Sequence, residues 1–228
     1  MSNILTIENI SIVMVVQRYN PATLTSDFLQ YSGIVPAAWE LARQPICTPQ
    51  VSQIVFQNGV SFVAWADKIA LAQPLNHQEQ MTGEVAASAS RFVQALPNLD
   101  YQQVGINPRC HVRCDAYSPG GHEDSGKTFL ASGDWQKCGG APAKIVIQLG
   151  YQLEGRELNI AINQGHLENG DGDKIPVLLF SGNFNYRLSD NNSPEKINSI
   201  VKIIDQWQSD VAIYRDVIET MPKLMVKI

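Results

Sequence analysis

The most regular hydrophobic alternation in the chain lies near its start, where Ile10, Ile12, Met14 and Val16 alternate with Ser11, Val13 and Val15. Period 2 predicts a strand, and apolar residues on both of its faces place that strand in the middle of a sheet. Val104 to Asp115 is its counterpart further along the chain. Asn58-Gly59, between two apolar runs, is a strong signal for a tight hairpin, and Glu154-Gly155 is a weaker one. The polar run from Asn169 to Lys174 predicts a turn before a strand over Pro176 to Leu188. Connections this short predict antiparallel meanders.

Two segments carry the other period. Met81, Val85, Ala89, Phe92 and Leu96 share one face of a helix predicted over Glu79 to Leu96, which Pro97 ends. The second helix takes Ser193 as N-cap and Pro194 as its first residue, and runs toward Met221. Its apolar residues include Ile197, Ile200, Ile204, Trp207, Val211, Tyr214 and Ile218, alternating in steps of three and four. At 1.5 Å per residue such a helix is about 40 Å long, more than one small sheet needs. Two uses remain open for it: packing along its own sheet, or offering Ile204, Trp207, Val211 and Tyr214 to a second subunit.

Self-comparison suggests an internal duplication. Ile54 to Gln73 (IVFQNGVSFVAWADKIALAQ) aligns without gaps to Ile145 to Gln164 (IVIQLGYQLEGRELNIAINQ), with Ile, Val, Gln, Gly, Ile, Ala and Gln in common. Upstream landmarks recur in order, Tyr19, Pro21, Phe28, Ser32, Gly33 and Trp39 against Tyr117, Pro119, Phe129, Ser132, Gly133 and Trp135. The expected fold class is α+β: a duplicated β-α-βββ-α unit, residues 1–98 and 99–228, forming one continuous domain. Its strands make a curved antiparallel sheet with the two long helices on one face. In element order this layout resembles the duplicated fold of TATA-box-binding-like proteins. The DNA binding of that family is not carried over.

Charge is the reason. The 228 residues hold 17 Lys and Arg against 22 Asp and Glu, and no segment gathers the basic residues into a stripe that could neutralise phosphates. Nucleic acid is not an expected partner. Apolar residues at 44% and charged residues at 17% describe a globular chain with enough length to bury a core without staples. No apolar run is long enough to span a bilayer, and Met1 to Asn9 lacks the pattern of a secretory leader. A cytoplasmic location is expected, with Cys47, Cys110, Cys114 and Cys138 as reduced thiols.

Three local patterns bear on chemistry. Gly121 to Thr128 (GHEDSGKT) fits the phosphate-loop pattern, in which Gly121 and Gly126 shape the loop, Lys127 reaches the phosphates and Thr128 holds Mg²⁺. Glu123 and Asp124 place negative charge inside that loop, the helix after it is short, and an insertion in a surface loop explains the match more simply. Cys110, His111, Cys114, His122 and Cys138 invite a zinc reading. On a strand, however, Cys110 and Cys114 stand about 13 Å apart, whereas thiolates sharing one zinc lie within about 4 Å. Arg109, His111 and Arg113 line the opposite face of that strand, a potential seat for a carboxylate or phosphate, or else a solvated face with ion pairs to neighbours such as Glu157. His122 to Ser125 are consecutive in one loop and cannot form an oriented triad. Asn169, Asp171 and Asp173 lack the glycine and closing glutamate of a calcium loop.

The expectation is a non-catalytic binding or assembly protein that meets a protein partner or a second copy and needs no cofactor. The alternative is a nucleotide- or phosphate-ligand-binding protein or enzyme using the Gly121 to Thr128 loop.

Overall fold

A computed structural model of the chain describes residues 5–75, 83–113, 146–168, 172, 174–188 and 194–221. The fold is mixed α+β, dominated by one antiparallel sheet with nine strands among the described residues. In chain order the strands are β1 (Thr6–Gln17), β2 (Ile46–Cys47), β3 (Ser52–Val55), β4 (Ser61–Ala64) and β5 (Lys68–Pro74), then β6 (Asp100–Arg113), β7 (Val146–Leu153), β8 (Arg156–Glu168) and β9 (Lys174–Arg187). In space they run β2-β3-β4-β5-β1-β6-β9-β8-β7. The described helices are α1 (Ser26–Tyr31), α2 (Glu84–Ala95), α3 (Pro194–Asp205) and α4 (Trp207–Thr220). None is long and apolar enough to cross a membrane.

β1 lies between β5 and β6, as its two-sided apolar pattern requires. Ile10, Ile12, Met14 and Val16 are buried on the face that carries the helices, while Val13 and Val15 are half-buried on the other. α2 packs on β1, β5 and α3, while α4 lies over β6 and β9. The segment after α1 joins this layer, where Arg91 on α2 donates to the Ile34 carbonyl at 3.5 Å. The buried side chains from both ends of the sheet form one continuous core.

Glycine closes both hairpins. Gly59 (φ +82°) ends the turn between β3 and β4, and Gly155 (φ +72°) the turn between β7 and β8, in a backbone region that favours residues without a Cβ. Thr25 caps α1 by accepting the Phe28 amide at 3.0 Å. The Tyr101 hydroxyl donates to the Leu96 carbonyl at 3.2 Å, satisfying a group that the end of α2 leaves open.

Two sequence expectations are corrected. α2 begins at Glu84, not Glu79, because Gly83 is left-handed (φ +73°) and its neighbours cannot continue a helix through it; Met81 lies outside the described residues. The long C-terminal helix is two helices that meet at Gln206, whose amide donates to the Ile203 carbonyl three residues back at 3.2 Å. A 3.5-residue repeat drifts about 20° per heptad on a straight helix. A break lets the stripe of α3 and the stripe of α4 both face the sheet. Ser193, the expected N-cap, lies outside the described residues.

The gap-free match of Ile54–Gln73 to Ile145–Gln164 pairs strands that hold different places. It sets the Asn58-Gly59 turn against Leu149-Gly150 inside β7, and β5, which adjoins β1, against β8, which does not. Aliphatic residues at period 2 in any two strands produce such matches at many offsets.

Candidate functional site: the sheet face opposite the helices

Residues alternate between the two faces of each strand, so the burial of one set identifies the other. On β6 the helix side takes Val104, Ile106, Pro108 and Cys110, and on β9 it takes Phe180, Phe184 and Tyr186. The opposite face, which no described helix covers, receives Asn107 from β6, Asn183 and Asn185 from β9, and Asn159 from β8. Asn183 stands opposite Asn159, Asn159 opposite Gly150, and Asn185 between Gly105 and Glu157. Asn183 Nδ2 donates to Asn107 Oδ1 at 2.5 Å. A row of amides therefore crosses three adjacent strands, about 4.8 Å apart.

Glycine makes room for this row. A Cβ on Gly105 would come within 3.3 Å of Asn183 Nδ2 and 3.5 Å of the Asn107 amide. Among the described residues, no group bonds to the side chains of Asn159 and Asn185, although each amide offers two donors and an acceptor. The part of the same face built from β5, β4 and β1 is mostly different in kind: Ala70, Ala72, Ser61, Val63 and Val13 present small or aliphatic surface, with Asn9 and Lys68 as polar exceptions at its margins. At the margin Arg187, 75% exposed, stands 3.7 Å from Glu157, a pair that solvent screens strongly.

Of the three residues expected to form a cationic strip on β6, Arg109 is exposed and opposite Ser181. His111 is buried, its Nδ1 lying 2.6 Å from Glu8 Oε1. Glu8 falls where the register of β1 on β6 breaks, between Ile7 and Asn9, and this irregularity brings its carboxylate to the imidazole. His111 is thus tied to an acid and is not an open cation. The Arg113 side chain lies outside what the structure describes, as do Gly121, Gly126, Lys127 and Thr128, the other loop residues His122 to Ser125, Cys114 and Cys138. Asn169, Asp171 and Asp173 lie outside it too. Among the described residues no three His, Cys, Asp or Glu side chains gather as a metal site.

No protein-family model matches this chain, and no curated protein does.

Ile204, Trp207, Val211 and Tyr214, the residues considered for contact with a second subunit, are each at most 7% exposed within their own chain. Tyr214 lies against β9, where its hydroxyl donates to the Phe180 carbonyl at 2.8 Å. That uses its only proton, so the Cys110 thiol, 3.2 Å away, donates to the tyrosine oxygen. Burial pushes the Cys110 thiol up to about 12, which keeps it protonated and unreactive at neutral pH. Gly182 lets the ring approach, since a Cβ there would lie 2.8 Å from Tyr214 Cδ2 and Cε2.

One charged cluster was not anticipated. Asp210 on α4 is fully buried, accepts from the Tyr186 hydroxyl at 2.7 Å and has Arg156 Nε 2.9 Å from its Oδ1. The Arg156 N–H is not aimed at that oxygen, so the contact is a Coulombic pair and not a good hydrogen bond. The guanidinium also stands over the rings of Tyr186 and Phe184, at 5.7 and 5.9 Å. Burial raises the Asp210 carboxyl above its ordinary range, and Tyr186 and Arg156 oppose that rise. The signal was in the sequence: Asp210 sits three residues after Trp207 and four before Tyr214, on the apolar stripe.

The crevice between α2 and α4, bordered by Ile10, Gln73, Val85 and Trp207, has about 10 Å³ of water-accessible space. That is room for one water, not for a metabolite.

Proposed function

We propose that this chain is a non-catalytic binding or assembly protein whose contact surface is the uncovered face of the sheet, and that a protein partner covers it. The observation that carries the reading is the amide row of Asn107, Asn183 and Asn159, with Asn185 beside it. Asparagine is depleted from strands because it packs and propagates poorly there. Placing four on adjacent strands, all on one side, weakens the sheet without helping the core. A hydrogen-bonding role toward something outside the sheet accounts for them. Uncharged amides flanked by the smaller residues of the other half suit a protein surface, where polar contacts set register and small side chains permit close approach.

The strand order supports an internal duplication, since from the β1/β6 pair it reads β1-β5-β4-β3 in one direction and β6-β9-β8-β7 in the other. On that reading one unit keeps a plain face and the other an amide-bearing one.

The test is photo-crosslinking in the native cell. Benzoylphenylalanine replaces Asn159 or Asn185 and, as controls on the helix layer, the exposed residues Lys202 or Gln208. Adducts of one discrete mass are expected from the sheet positions and not from the helix positions. Equal adducts from both layers, or none from the sheet, would remove the face as the contact surface.

A further inference from the structure

The two ends of the sheet are unlike. At one end β2 has two residues, Ile46 and Cys47, with Pro45 before them and Pro49 just beyond. A short edge bounded by proline offers little to pair with. At the other end β7 runs eight residues, VIQLGYQL, with no charge and no proline. Its register on β8 is unbroken from Val146↔Asn163 to Leu153↔Arg156. Its own sequence carries no charge, proline or register break to blunt it, and no described element covers it.

The backbone of β7 has its own requirement. The two-residue turn at Glu154-Gly155 closes on Leu153 and Arg156, which makes that pair the hydrogen-bonded kind. Alternation then directs the N–H and C=O groups of Gln152, Gly150, Gln148 and Val146 away from β8. The side chains follow the same alternation: Ile147, Leu149, Tyr151 and Leu153 lie half-buried at the rim of the core, whereas Leu158, Ile160 and Ile162 on the next strand are at most 2% exposed. Val146 is 53% exposed.

We propose that β7 pairs antiparallel with β7 of a second copy of this chain, about a two-fold axis at Gly150. In that register Gln148 faces Gln152 of the other copy, and Leu149 faces Tyr151. Ile147 faces Leu153, so every apolar residue meets an apolar one on the helix side and every glutamine a glutamine on the other. Gly150 meets itself on the axis, where the missing side chains let the backbones close. A two-fold contact has to be self-complementary, and this strand is. A partner of another sequence would not need that property, which is why a second copy is the occupant chosen. Pairing joins the two sheets edge to edge and brings the two amide-bearing halves together at the centre of one continuous face. The inference rests on the edge and not on what the open face binds.

The test is sedimentation equilibrium of the full chain, with two charge variants at exposed positions of β7. The wild type is expected at twice the chain mass at tens of micromolar. Gln148→Lys with Gln152→Lys sets lysine against lysine twice across the axis and should weaken the dimer at least ~tenfold. Gln148→Glu with Gln152→Lys sets opposite charges against each other in the same register and should stay dimeric. Far-UV circular dichroism and unchanged melting of both variants show that the fold is kept. A monomeric wild type overturns the proposal, as does a dimer that both variants leave alone or that both abolish. None of these outcomes moves the crosslinking result at Asn159 and Asn185, so the two readings fail separately.

Discussion

Removing the Asp210 carboxylate is the most informative single perturbation of this fold. The side chain is fully buried, and its two partners depend on it unequally. Tyr186 loses the acceptor of its 2.7 Å bond, and Arg156, 16% exposed, loses the only anion beside its Nε among the described residues. A buried donor left unsatisfied costs about 1–3 kcal/mol, and breaking a buried ion pair from one side about 3–5 kcal/mol. The two overlap here, so Asp210→Ala should cost about 3–5 kcal/mol. Domains are commonly stable by only about 5–15 kcal/mol.

Arg156→Met should cost less than Asp210→Ala, because the buried carboxyl left behind can take up a proton. The sign follows from its raised position. The folded state holds the Asp210 proton to higher pH than the unfolded state does, so stability is greatest below the ordinary carboxylate range and falls as pH rises through the raised value. Removing Arg156, which opposes the rise, steepens that fall, and Arg156→Met should be milder at pH 5 than at pH 8. The double variant strands neither charge, so its cost should undercut the sum of the singles by about 0.5–3 kcal/mol. Urea denaturation followed by circular dichroism measures all four proteins, with a constant m-value as the check on two-state behaviour. Additivity within about 0.5 kcal/mol, together with no pH dependence in Arg156→Met, would refute the coupling.

Two further outcomes follow from the Tyr214 contact. Gly182→Ala puts a methyl 2.8 Å from a ring held by two hydrogen bonds and 3.2 Å from Pro108 Cγ. It should cost about 1–3 kcal/mol by overpacking, read as a lowered Tm; Tyr214→Leu should relieve most of that extra cost, and equal costs in both backgrounds would place the clash elsewhere. Cys47 is exposed, while Cys110 is buried with its thiol pushed up to about 12. N-ethylmaleimide should therefore modify Cys47 in the native protein and reach Cys110 only as the chain unfolds, a difference that peptide mass spectrometry reads directly and that equal rates would contradict.

What was legible in the sequence was what local chemistry decides. The β1 alternation, the hairpins at Gly59 and Gly155, and the stripe of α2 rest on residue type and spacing alone. The start of α2 was not legible, because a glycine inside a polar run does not announce a left-handed backbone. Nor was the break at Gln206: the 3-4 pattern of the C-terminal segment describes a coiled-coil seam and a pair of helices on a sheet equally well. The His111–Glu8 contact depends on a register irregularity that pairs residues more than a hundred positions apart. The amide row was visible, in the period-2 placement of Asn183 and Asn185 and in Asn159 between Leu158 and Ile160, but only to a reading that followed the polar positions of the strands as closely as the apolar ones.

That distinction bears on where function is to be sought in this fold. On the helix side the two halves of the sheet do the same thing by the same means: Phe62 and Ile69 in one, Leu158 and Phe180 in the other, all buried and interchangeable in kind. On the open side they diverge. Val63 and Ala70 stand where a sheet under no outside demand keeps small or β-branched residues, whereas Asn159 and Asn185 stand where such a sheet has no reason to place an amide. Folding explains the apolar residues of the helix side, and it explains most of the first half of the open side. It leaves the second half unexplained, and β7, an edge that no described element pairs or covers, adjoins that half. The unexplained residues and that edge are therefore neighbours, as they would be if both served contact with other molecules.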